Sequence, residues 1–129
     1  MAIEKKTFRS GPFQDFIAQG TQVGNVLYLA GQVGMAQDGK VPTAMAEQMV
    51  IAYQNMQEVL SEFGADMSNI VDETFFVTDM SELMSNVGET YAARETAYGG
   101  KPDVSQTVLQ VVALVAPELK IEIKCIAHL

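Results

Sequence analysis

Met45, Met49, Ala52, Tyr53, Met56, Val59, Leu60 and Phe63 recur at steps of three and four, the spacing that lines one face of a helix. Gln48, Gln54, Gln57, Glu58 and Glu62 fall mostly on the other side. The pattern predicts a helix entered through Pro42 with Thr43 as its N-cap, and ended by Gly64 just past its last turn. Ile121, Ile123, Cys125 and Ala127 instead alternate with Glu122 and Lys124, the two-residue period of a strand. Val26–Ala30, after the turn dipeptide Gly24-Asn25, and Ile70–Val77, rich in β-branched and aromatic residues, also read as strands. Val104–Val112 is strand-like. Ser81–Tyr98 is a second, weaker helix whose apolar face holds Leu83, Val87, Tyr91 and Tyr98, closed by Gly99-Gly100.

This order, three strands, helix, strand, helix and two strands, predicts an α+β fold over residues 1–129 as one domain, with two helices on one face of a sheet. Two helices cannot cover both faces. Several strands carry apolar residues at both parities, so the open face is expected to meet another copy of the chain.

Composition narrows the function. The 129 residues carry a net charge of −8, and no basic stripe exists to track phosphates, so nucleic-acid binding is not expected. The N-terminal stretch lacks the apolar core of a signal peptide, and no apolar run nears the ~20 residues of a membrane span. A cytoplasmic location without membrane contact is the expectation. One cysteine and one histidine exclude an intrachain disulfide framework and make no zinc site alone. Cys125, on the apolar face of its strand, reads as a buried structural thiol, and the methionine stripe reads as core packing.

Two features carry candidate chemistry. Gly31-Gln32-Val33-Gly34 follows a strand and can bring backbone close to a ligand, although a turn glycine is the commoner explanation. Glu122 interrupts an apolar strand. It is either an edge residue paired with Lys120 or Lys124, or a carboxylate that handles water as a general acid or base.

Four stretches read together resemble the RidA (YjgF-type) family. They are Gly11-Pro12-Phe13, Gly24 to Gly34, Val71 to Met80 and Lys120 to Ala127. The Gly-Asn strand ending in Gly31-Gln32 and the strand Ile121-Glu122-Ile123 are the most specific parts. The resemblance implies a chorismate-mutase-like mixed sheet with two helices on one face, assembled as a homotrimer with small-molecule clefts between subunits. It also implies cofactor-free hydrolysis of reactive imines, tautomers of enamines, to a 2-keto acid and ammonia.

Carried over residue by residue, the resemblance makes Glu122 the residue that positions or activates water and Gly31 the backbone that holds the ligand. Phe13 replaces the usual tyrosine. The family arginine that pairs with the substrate carboxylate has no counterpart. Anchoring on Leu114 puts Gln106 in its place, with Thr107 after it and Val108 at a common cysteine position. Gln106 beside Glu122 would make a net negative cleft suited to a neutral or cationic ligand. The resemblance therefore implies a small-molecule protein of this family, either an imine or enamine deaminase or, as the alternative, a non-catalytic metabolite-binding trimer, with a family-type endoribonuclease as a distant third.

Overall fold

The computed structural model describes residues 2–129. Seven strands form one mixed sheet: β1 (Lys6–Phe8), β2 (Gly20–Val23), β3 (Val26–Leu29), β4 (Gln32–Val33), β5 (Ile70–Val77), β6 (Ser105–Gln110) and β7 (Ile121–His128). Their order is β1-β2-β3-β7-β5-β6, with β4 also pairing with β7. Among the described residues only β5 and β6 are parallel. Their crossover carries α2 (Met80–Ser85) and α3 (Val87–Tyr98), while α1 (Met45–Ser61) and a short 3₁₀ turn lead into β5.

The two-residue period of β7 divides the sheet. Ile121, Ile123, Cys125 and Ala127 are fully buried, with Leu27 and Leu29 of β3, Phe75 and Val77 of β5, and the Met49 and Met56 stripe of α1. These residues form one apolar cluster beneath the helices, so the α+β sheet with its helices on one face stands as expected. Among the described residues no helix is long and apolar enough to cross a membrane. Cys125 is buried with no disulfide partner, and burial, then the charge of Glu73, pushes its thiol well above the usual range.

Several local details differ from the sequence expectations. Ala44, not Thr43, occupies the N-cap of α1, and no side chain caps it. Gln48, assigned to the polar side of α1, is fully buried. Its amide donates to the carbonyls of Pro42 (2.8 Å) and Glu118 (3.0 Å) and accepts from the Lys120 N–H (2.9 Å). A buried amide satisfied three times fixes α1 to the segment entering β7. The second helix is broken at Asn86, whose side chain donates to the Glu82 carbonyl at 2.8 Å, a local bond that competes with continuing the helix. Val87 is consequently exposed, and Thr90 and Arg94 face inward instead. Gly99 then ends α3 at φ 76°, where a side chain would be strained. The strand expected to run to Val112 stops at Gln110.

Candidate active site on the open face of the sheet

Strand alternation places Glu122 opposite the core, on the face that no helix covers among the described residues. It pairs across the sheet with Val33 of β4 and Phe76 of β5. Leu109 of β6 lies beyond Phe76 in the same row. The next row runs Lys124, Thr74, Thr107 across β7, β5 and β6.

The backbone beside Glu122 is irregular. Tyr28 pairs with Ile126, and Gln32 pairs with Ile123. Leu29, Ala30 and Gly31 therefore oppose only Lys124 and Cys125. One extra residue on one side is a β-bulge, a device that re-aims groups beside binding sites. Its polar groups find other partners: Ala30 N–H donates to the Gln19 carbonyl (2.8 Å), and Lys124 Nζ donates to the Leu29 carbonyl (2.8 Å). Asn55 of α1 holds the following turn through the carbonyls of Val33 and Met35, both at 3.1 Å.

The bulge sets Gly31 directly against Glu122. A Cβ built on Gly31 would lie 2.6 Å from Glu122 Cδ and 2.9 Å from Cγ, inside van der Waals contact. Only glycine lets this carboxylate lie on the backbone. Glu122 is half-buried, and among the described residues it makes no ion pair. Burial raises its pKa above the ordinary carboxylate value, partly offset by Lys124. A carboxyl group shifted toward neutrality can take and return a proton.

The structure brings Gly31 and Glu122 together. Thr107 lies on the same open face, exposed, two strands away. Phe13 lies in the β1–β2 connection and is 45% exposed.

Gln106 does not join them. It pairs in register with Glu73, and its side chain points to the helix side. Its Nε2 donates to Glu73 (2.8 Å), and its Oε1 accepts from the Tyr91 hydroxyl (2.5 Å). Within one chain Gln106 and Glu122 therefore lie on opposite faces of the sheet.

Sequence reasoning missed the group that Gln106 serves. Glu73 is completely buried. Its carboxylate accepts from Tyr53 (3.0 Å), Tyr98 (2.7 Å), Gln106 and Arg94 Nε. Burial, and then the Glu73 charge, holds the Tyr53 hydroxyl far above its usual pKa. Burial works against the Arg94 charge, but the bond to Glu73, the Glu73 charge and the neighbouring Tyr53 and Tyr98 together outweigh it, and the pKa is raised. Arg94 also lies over the Tyr91 and Tyr98 rings, at 5.9 and 5.4 Å. This network ties α1, α3, β5 and β6 together. The signal for it was parity: Glu73 shares a face with Phe75 and Val77, and Arg94 is spaced three and four residues from Tyr91 and Tyr98.

Residues 10–129 match the family described as Endoribonuclease L-PSP. Reactive Intermediate Deaminase A from the Arabidopsis thaliana chloroplast is 32% identical over 100% of this chain and 65% of that protein. The chain belongs to the RidA (YjgF-type) family. A second relative in the RidA family, the 2-iminobutanoate/2-iminopropanoate deaminase of Escherichia coli K12, is 29% identical over 98% of this chain and 94% of its own. A YjgF-family crystal structure from Mycobacterium tuberculosis shares the RidA fold, with a TM-score of 0.81 at 23% identity over 98% of this chain and all of that one.

Proposed function

We propose that the chain is a cofactor-independent hydrolytic deaminase of small reactive imines and their enamine tautomers. The observation that carries this reading is the half-buried Glu122 carboxylate, unpaired and seated on the Gly31 backbone at the bulge, in a chain with deaminases among its relatives. Glu122 takes a proton from water as the water oxygen bonds to the imine carbon, and returns it to the nitrogen. It then takes the carbinolamine hydroxyl proton and passes it to the amino nitrogen as the C–N bond breaks. Ammonia leaves and a carbonyl remains, so imine plus water gives ketone plus ammonia.

The cleft is completed by neighbouring copies in a homotrimer, with Thr107 and Phe13 lining it across the interface. The open face supports this: Tyr28 is 47% and Leu109 37% exposed there, and Phe16 of the β1–β2 connection is 80% exposed. Apolar groups this exposed mark an association surface. Light scattering at micromolar concentration should give three copies of the 14.0-kDa chain; a monomer contradicts the shared cleft. The activity is tested by generating an imine in place with an amino-acid dehydratase and following ammonia release. The chain should accelerate release above the spontaneous rate at micromolar concentration. Release at the spontaneous rate leaves the non-catalytic binding trimer as the reading.

A further inference from the structure

The strand that seats Glu122 is only two residues long. β4 spans Gln32–Val33, shorter than strands that hold themselves in a sheet. Yet Gly31 precedes it, and Val33 pairs with Glu122 itself. Its place is set from outside the ladder, by α1. Asn55 Nδ2 donates to the carbonyls of Val33 and Met35, both at 3.1 Å. Between those two residues Gly34 lies on the helix backbone: a Cβ built there would stand 2.5 Å from Gln48 Cα.

Gln48 reaches the other side of the same site. Its Nε2 donates to the Glu118 carbonyl at 3.0 Å, and its Oε1 accepts from the Lys120 N–H at 2.9 Å. Those residues lead directly into Ile121 and Glu122 at the start of β7. A further bond to the Pro42 carbonyl, 2.8 Å, fastens the chain between β4 and α1. Gln48 and Asn55 are two turns apart on one face of α1, with the fully buried Ala52 between them. Side-chain amides whose partners are all backbone groups make rigid connections. One helix face thus grips both segments that meet at Glu122.

We infer that Gln48 and Asn55 are positioning residues for Glu122: through them α1 holds the Gly31 backbone and the start of β7 at the spacing that seats the carboxylate. This rests on the deaminase reading above. Both residues act from the covered face of the sheet, and the group they place stands on the open face.

The experiment compares the wild-type chain with Gln48→Met and Asn55→Leu, which keep side-chain volume and lose the bonds. Asn69→Ala is the control, because Asn69 donates to the His128 carbonyl (2.9 Å) at the far end of β7. Light scattering first shows that each variant assembles as the wild type does. Should Gln48→Met fail to assemble, the half-buried Asn55 carries the same readouts. The first readout is kcat and KM for imine hydrolysis. The second is the titration of the Glu122 carboxyl, followed by carbon NMR of a chain labelled at glutamate and assigned with Glu122→Gln. Lys124 is the charged group beside Glu122 on its own strand, and the facing Val33 and Phe76 carry no charge. Loosening β4 admits water to the half-buried carboxyl, so its titration should move down toward the ~4.3 of an ordinary glutamate. Displacement of a reacting group should lower kcat by about ten- to a hundredfold, with KM within about threefold. Asn69→Ala should leave both readouts at their wild-type values. With an active wild-type chain, an unmoved Glu122 titration or a kcat within about twofold in both variants overturns the inference and leaves the deaminase reading standing. An equal shift in Asn69→Ala also overturns it, since any lost brace would then suffice. If the wild-type chain shows no turnover, the deaminase reading fails and the titration decides alone. A shift confined to Gln48→Met and Asn55→Leu then supports the positioning of Glu122, and no shift overturns it.

Discussion

Replacing Glu73 by leucine removes the acceptor of four hydrogen bonds from a site with no solvent access. Arg94, 9% exposed, keeps its charge and loses its counterion. Breaking a buried ion pair from one side costs about 3–5 kcal/mol. The stranded Tyr53 and Tyr98 hydroxyls add to this, although contributions within one network do not sum. Total stability of a domain is about 5–15 kcal/mol, so the loss is a large share. With a urea slope near 2 kcal/mol per molar, the unfolding midpoint should fall by about 2 M at fixed protein concentration. Arg94→Leu should cost a similar amount, because it leaves the Glu73 carboxylate buried. The double variant Glu73→Leu/Arg94→Leu has no stranded charge and should be more stable than either single variant. The cycle should therefore show a coupling of at least about 2 kcal/mol. A Glu73→Leu midpoint within about 0.3 M of wild type, or strictly additive single variants, would refute the role given to this network.

Gly31→Ala should fold but lower kcat by about tenfold or more, because its methyl group takes space now held by the Glu122 carboxylate and a small misplacement of a reacting group is costly; steady-state kinetics with an unchanged melting temperature checks this. Burial raises the Glu122 carboxyl, and that group must be ionised to accept a proton. Activity should therefore fall on acidification, with a limb above the ~4.3 of an ordinary glutamate. Lys124→Gln removes the opposing charge and should move that limb to higher pH in a kcat/KM profile.

Much of the fold is legible where one period dominates. The methionine stripe of α1 and the alternation of β7 each bury a single face, so pattern and packing agree. Gln48 departs because its amide finds three backbone partners from distant segments, which no local pattern carries. β6 was ambiguous for another reason. Ser105, Thr107 and Leu109 on one face and Gln106, Val108 and Gln110 on the other are both mixed, so hydrophobicity does not set which face is buried. Glu73 and Arg94 are 21 residues apart, and parity flags each as a charge on an apolar face without naming its partner. The bulge at Leu29–Gly31 is invisible in one strand, since a register slip exists only relative to the neighbour. Gly31 and Glu122 drew notice from the residues and again from the family resemblance; their contact, and the place of Lys124 beside it, required the sheet.

The most direct test of the account is the rate of imine hydrolysis by Glu122→Gln against wild type, under saturating 2-iminobutanoate. Glutamine keeps the volume and hydrogen-bonding capacity of the side chain and cannot accept the water proton. General acid–base catalysis contributes about 10²–10⁴-fold. The account predicts a kcat reduced by at least about a hundredfold, with 2-oxobutanoate still bound and the assembly intact. A kcat within about threefold of wild type would contradict it and move the chemistry away from Glu122.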